Sequence, residues 1–204
     1  MKIGLIKYIR CFFRKKALLR DFFIKDNFYF HLSEGGYPVF ISIEVEGIYA
    51  FHSIFACSKE ELAKVKRNIS HVFSVDENSL EEEGVVSEGI ALAQPYYSDA
   101  LAMREKCVLI YSFRCRMDNN LISVMTNSSM FISTMCELNI KQPLPWVVFP
   151  NLEPDTFGSL QGEVDFWWGN IWRPFWDSLS IEEKRKFLAR HNVSQKWRDF
   201  ILRH

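Results

Sequence analysis

The 204-residue chain has no run that approaches the roughly eighteen apolar residues of a membrane-spanning helix, which argues against stable membrane insertion. Its five cysteines (Cys11, Cys57, Cys107, Cys115 and Cys136) are odd in number, scattered, and never form C-x-x-C. The N-terminus has no signal-peptide core, because Lys7, Arg10 and Arg14 interrupt its apolar residues. Thiols in such a chain read as reduced, and a cytoplasmic location is expected. Net charge is also lacking. Twenty-five basic residues balance 25 acidic ones at a pI near 7.0, so the molecule as a whole is not an electrostatic nucleic-acid binder.

Catalytic signatures are equally scarce. His31, His52, His71, His191 and His204 include no pair at i, i+4 spacing and none near a cysteine, so no structural metal is expected. Gly35-Gly36 reads as a turn, and there is neither a Walker sequence nor G-x-G-x-x-G; no cofactor is expected. G-x-S-x-G is absent around Gly158-Ser159. One acidic constellation remains: Asp155 after Pro154, then Glu163 and Asp165, a set that could hold a divalent cation for phosphodiester hydrolysis. Asp165 stands where such a nuclease would carry lysine.

What is present is bulk and segregated charge. Apolar residues make up 48%, with 18 phenylalanines, enough for a real core in one domain spanning 1–204. Residues 1–25 carry eight basic side chains against Asp21, and residues 76–88 carry six acids without a base. Within the acidic block Glu81, Glu82 and Glu83 are the candidate contact for a basic partner. An amphipathic basic helix is expected at about 3–24, either packed on the domain or lying on a membrane surface.

Period-two patterning then predicts strands at Phe28–Leu32, Val39–Glu46 and Ile48–Phe55, an antiparallel meander. Ser58 with Glu61 forms a capping box for a helix to about Val72. The acidic stretch reads as a loop leading into a short helix, and Asp99–Lys106 as helix. Val108–Met117 and Leu121–Met125 alternate around the turn Asp118-Asn119-Asn120, and Ser128 or Ser129 caps a helix to Leu138. Prolines 143, 145, 150 and 154 mark Trp146–Phe149 as loop or edge strand. Ser180 with Glu183, and Ser194, open two final helices.

Between Asp165 and Trp176 lie four of the six tryptophans. Trp168, Trp172, Phe175 and Trp176 share one helical face, while Gly169 and Pro174 predict two short helices meeting near Arg173. Those rings are expected inward. Trp167, about 100° from Trp168 on a helix, is expected accessible beside Arg173, and the two are candidate partner contacts.

The pattern Trp167-Trp168, Trp172, Pro174-Phe175-Trp176, Leu179-Ser180, Glu182-Glu183 and Trp197-Arg198 resembles the tails of small bacterial immunity proteins, made beside polymorphic toxins of contact-dependent or type VI systems. It covers about the last forty residues. The resemblance implies a cytosolic, non-catalytic protein that binds one toxin. The sequence therefore predicts an α+β domain, with an antiparallel sheet, packed helices and an aromatic-rich helical segment at about 155–204. Its expected function is protein binding without nucleic acid, with a small metal-dependent nuclease or a membrane-surface adaptor as alternatives.

Overall fold

The computed structural model describes residues 16–25, 37–44, 47–93, 103, 106–116, 119–154 and 160–203. Among these residues six strands form one antiparallel sheet: β1 (Ile41–Ser42), β2 (Phe51–Cys57), β3 (Glu83–Ser87), β4 (Ile90–Leu92), β5 (Val108–Arg116) and β6 (Asn119–Thr126). Their order is β1-β2-β6-β5-β3-β4. With helices α1 (Lys16–Phe22), α2 (Lys59–Phe73) and α3 (Ser129–Glu137), and a helical C-terminal segment, the fold is α+β.

The centre of the sheet is the β5–β6 hairpin, two strands where alternation predicts them, but Asn119 and Asn120, expected in the turn, already pair with Arg116 and Cys115 in the ladder. Its register pairs Tyr111 with Val124 and Phe113 with Ile122, which puts alternate residues on opposite faces. One face carries Phe55, Ile122, Val124, Leu109, Tyr111 and Val86 into the larger core, beneath α2, α3 and the C-terminal segment. The other carries Val85, Val108, Ile110 and Met125 into a second core with Leu19, Phe22 and Phe23. The described end of the N-terminal helix thus packs its apolar side on the sheet. Its expected apolar stripe from Leu5 to Phe13 lies outside the described residues, as do the Phe28–Leu32 strand and most of Asp99–Lys106.

Several expectations give way. Among the described residues the strand expected at Val39–Glu46 pairs at Ile41–Ser42, and the next runs from Phe51 to Cys57, not Ile48 to Phe55. β1 and β2 pair antiparallel, as the meander requires, and the second neighbour of β2 is β6; the first strand of that expected meander lies outside the described residues. Beyond β1 the edge of β2 is closed by a side chain: the Tyr37 hydroxyl donates to the Ala56 carbonyl and accepts from its N–H, both at 2.9 Å. The acidic stretch does form a short 3-10 turn at Glu77–Ser79, but Glu83 then enters β3 and the chain returns as β4. The proline-rich run is one helical turn, α4 (Pro145–Val148), instead of loop or strand, because Pro145 sits in its first turn, where a missing N–H costs nothing.

Both capping boxes form as expected. The Ser58 hydroxyl accepts from the Glu61 N–H at 3.2 Å while Glu61 accepts from the Ser58 N–H at 2.9 Å. Ser180 and Glu183 repeat the arrangement at 3.3 and 2.8 Å, opening α7 (Ile181–Arg190) after the segment described below. Among the described residues no helix is long and apolar enough to cross a membrane.

Candidate functional site

The tryptophan stretch is one continuous helical segment and not two meeting pieces: α5 (Gly162–Trp167), a π-turn (Trp168–Trp172) and α6 (Arg173–Ser178). Pro174 supplies the reason. It lacks an N–H, and its ring would press on the carbonyl four residues back in a regular helix. A wider turn, in which the Arg173 N–H bonds the Trp168 carbonyl, places Pro174 in the first turn of α6, where it is tolerated. Asn170 Nδ2 donates to the Phe166 carbonyl at 2.7 Å, a side-chain bond inside the π-turn.

This turn overturns the expectation for Trp167. On a regular helix residues five apart point about 140° away from each other; a π-turn aligns them. Trp167 accordingly stacks on Trp172 with centroids 6.2 Å apart and planes 13° apart, and Trp172 stacks on Trp176 at 5.7 Å and 14°. Trp167 is 2% exposed, against 1% for Trp172, so it is core and no partner-facing ring. Phe149 meets Trp167 edge-on at 5.3 Å, and Phe200, from α8 (Gln195–Arg203), meets Trp168 at 5.0 Å. Tyr37 touches both Phe175 and Phe55 of β2. The aromatic surface staples the C-terminal helices to one another and to the sheet. Trp168, Trp172 and Trp176 are buried as expected.

Arg173 is exposed, with Nε 3.4 Å from Asp177 one turn on. It lies on α6, whereas the three candidate glutamates gather at the start of β3. Their position has a local cause. Asp76 caps the 3-10 turn, accepting from the Asn78 N–H at 3.0 Å, and Leu80 is buried as an anchor. Lys66 of α2 donates to the Leu80 carbonyl at 3.3 Å and lies over the Phe113 ring. Beyond that anchor the Phe113 N–H bonds the Glu82 carbonyl at 2.6 Å, and the Tyr111 hydroxyl bonds the Glu81 backbone. Burial pushes the Tyr111 hydroxyl up to about 12, so it stays protonated.

Backbone bonding consequently holds Glu81, Glu82 and Glu83 while their side chains are exposed. Together with Phe113, Arg114 and Cys115 of β5 they line an open concavity of about 920 Å³. Arg114 reaches Glu83 at 3.5 Å, a half-exposed pair of small energetic value. Arg114 and Cys115 were not legible as site residues, because only the β3–β5 register brings them beside Glu83. That register also divides the acidic run: Glu88 sits in the turn at the far end of β3, about 15 Å away by strand rise.

Other chemistry fares less well. Asp155 lies outside the described residues; Glu163 and Asp165 are exposed on α5, two residues apart and therefore on different sides of the helix. Among the described residues no three His, Cys, Asp or Glu side chains are grouped to hold a metal. His52 Nε2 lies 3.2 Å from Ser123 Oγ, a nucleophile–base distance. Among the described residues no carboxylate bonds the other ring nitrogen. Burial lowers His52 to about 4, keeping it neutral in the sheet. Cys57 is pushed up to about 12, mainly by burial and further by Glu61, so its nucleophilic thiolate is suppressed at neutral pH.

No protein-family model, curated protein or solved structure matches the chain.

Proposed function

We propose that this chain is a non-enzymatic protein-binding protein, and specifically an immunity protein that neutralises a cognate bacterial toxin by direct contact in the cytoplasm. The observation that carries the proposal is the acidic concavity. Three exposed carboxylates lie side by side on a strand start fixed by backbone hydrogen bonds, with one guanidinium among them. The geometry suits a basic protein surface: clustered charge of one sign steers encounter, and a rigid backbone keeps the cluster in place as the partner docks. Toxins that attack nucleic acid are often cationic, which would supply the complementary face. The resemblance of the C-terminal pattern to immunity proteins points the same way.

The test uses gene order, since an immunity gene directly follows its toxin gene. The product of the gene immediately upstream is expressed with and without this chain. Growth arrest relieved by the chain, with a direct complex between the purified proteins, is the expected result. No rescue and no complex would refute the toxin reading. Nucleic-acid cleavage by the purified chain with magnesium or manganese, abolished in Asp155→Ala or Glu163→Ala, would replace it with the nuclease alternative.

A further inference from the structure

The π-turn borders a second hollow, of opposite electrical character. Trp168, Trp172 and Trp176 line it with Ile201 of α8, and its charged groups are Arg173, Asp177 and Arg203. Its volume is about 250 Å³. That is below the range of roughly 300–1,000 Å³ usual for cofactor and drug-sized ligands, and on the scale of one large side chain. Asp177 is already paired with Arg173 at 3.4 Å. Arg203 has no ion-pair partner among the described residues, so its charge is the excess one in the hollow. One further observation concerns the rim: Leu202 beside the hollow is 69% exposed.

We infer that this crevice receives an acidic side chain, aspartate or glutamate, from the protein partner; that the donor is a partner residue rests on the protein-binding function proposed above. The guanidinium of Arg203 presents a planar fork of N–H donors that matches a carboxylate. The tryptophans below it show little more than ring edges, at 3% exposure for Trp168 and 7% for Trp176, so the charge contact with Arg203 carries the recognition. Paired with the acidic concavity, the crevice would give the partner two contacts of opposite sign, and so a single orientation.

The full chain is titrated with N-acetylglutamate N-methylamide, and with its glutamine counterpart, while the indole and arginine side-chain N–H resonances are followed by NMR. Saturable shifts at Trp172 and Arg203 are expected for the glutamate probe only, with a Kd on the order of 10 mM for so small a ligand. Arg203→Gln should weaken binding at least about tenfold; Arg203→Lys should fall between, and neither should move the thermal midpoint of this exposed residue. Equal shifts with the glutamine probe, no saturation up to about 100 mM, or an unaffected Arg203→Gln variant would overturn the inference. Probe binding without any complex with the upstream gene product would keep the carboxylate site and remove its protein partner. A complex whose affinity ignores Arg203→Gln, with no probe binding, would remove the site alone.

Discussion

The C-terminal segment and the start of β3 are the two most chemically biased regions of the molecule, and the fold uses them in opposite ways. One concentrates aromatic surface and buries it: Trp167, Trp168, Trp172 and Trp176 are all 7% exposed or less. The other concentrates carboxylates and leaves them in solvent, held by backbone contacts that do not involve the side chains. Aromatic richness in a sequence is thus no sign of an interface until the helix geometry is known. Charge that the fold does not consume is the better pointer to a partner.

The largest expected effect sharpens the aromatic side of that contrast. Trp172 contacts Trp167, Trp168, Trp176, Phe175 and Phe187. Trp172→Ala should cost on the order of 3–5 kcal/mol in chemical denaturation, and Trp167→Ala a similar amount. A Trp167→Ala variant that keeps its stability but loses its partner would break the comparison, because the ring would then belong to an interface.

Next in size is a pH effect from the buried histidine. His52 folds with its pKa lowered from 6.5 to about 4, so the unfolded chain binds the extra proton. The contribution is fully present above pH 6.5 and is lost as pH falls toward 4, about 3 kcal/mol in total and about 2 kcal/mol between pH 7 and 5. Denaturation at pH 7 and 5 should show this loss in the native chain and not in His52→Gln. An equal slope in both would place the proton elsewhere.

Gly84 probes the backbone that carries the acids. A Cβ there would lie 2.7 Å from the Leu92 carbonyl oxygen and 2.8 Å from the Tyr111 hydroxyl oxygen. Gly84→Ala should therefore cost about 1–3 kcal/mol of stability by overpacking, and weaken partner binding by displacing Glu81–Glu83. Unchanged stability and binding would show that the strand start adapts freely.

Local signals were legible in the sequence; register was not. The capping boxes at Ser58 and Ser180 act within four residues, and the β5–β6 hairpin alternates openly, so both could be read directly. β3 could not, because Val85 and Val86 are both fully buried in opposite cores and show no alternation, while acids and Gly84 precede them. The cluster of Glu81, Glu82 and Glu83 was visible as composition, but its neighbours Arg114 and Cys115 required the pairing with β5. The position of Trp167 does not follow from a 100° wheel because a π-turn, Trp168–Trp172, begins right after it. The hint was Pro174, which no regular helix accommodates at that point.

The smallest effect on the fold carries the most weight for function. Reversing Glu81, Glu82 and Glu83 to lysine changes exposed side chains and should leave stability within about 0.5 kcal/mol. The decisive measurement is the association rate of this triple variant with the upstream gene product, at low salt and at physiological ionic strength. At low salt the account predicts at least a tenfold slower association than for the native chain (roughly, from loss of electrostatic steering), with the gap narrowing as salt rises. A thermal midpoint that is unchanged and an association rate that is also unchanged at low salt would contradict it.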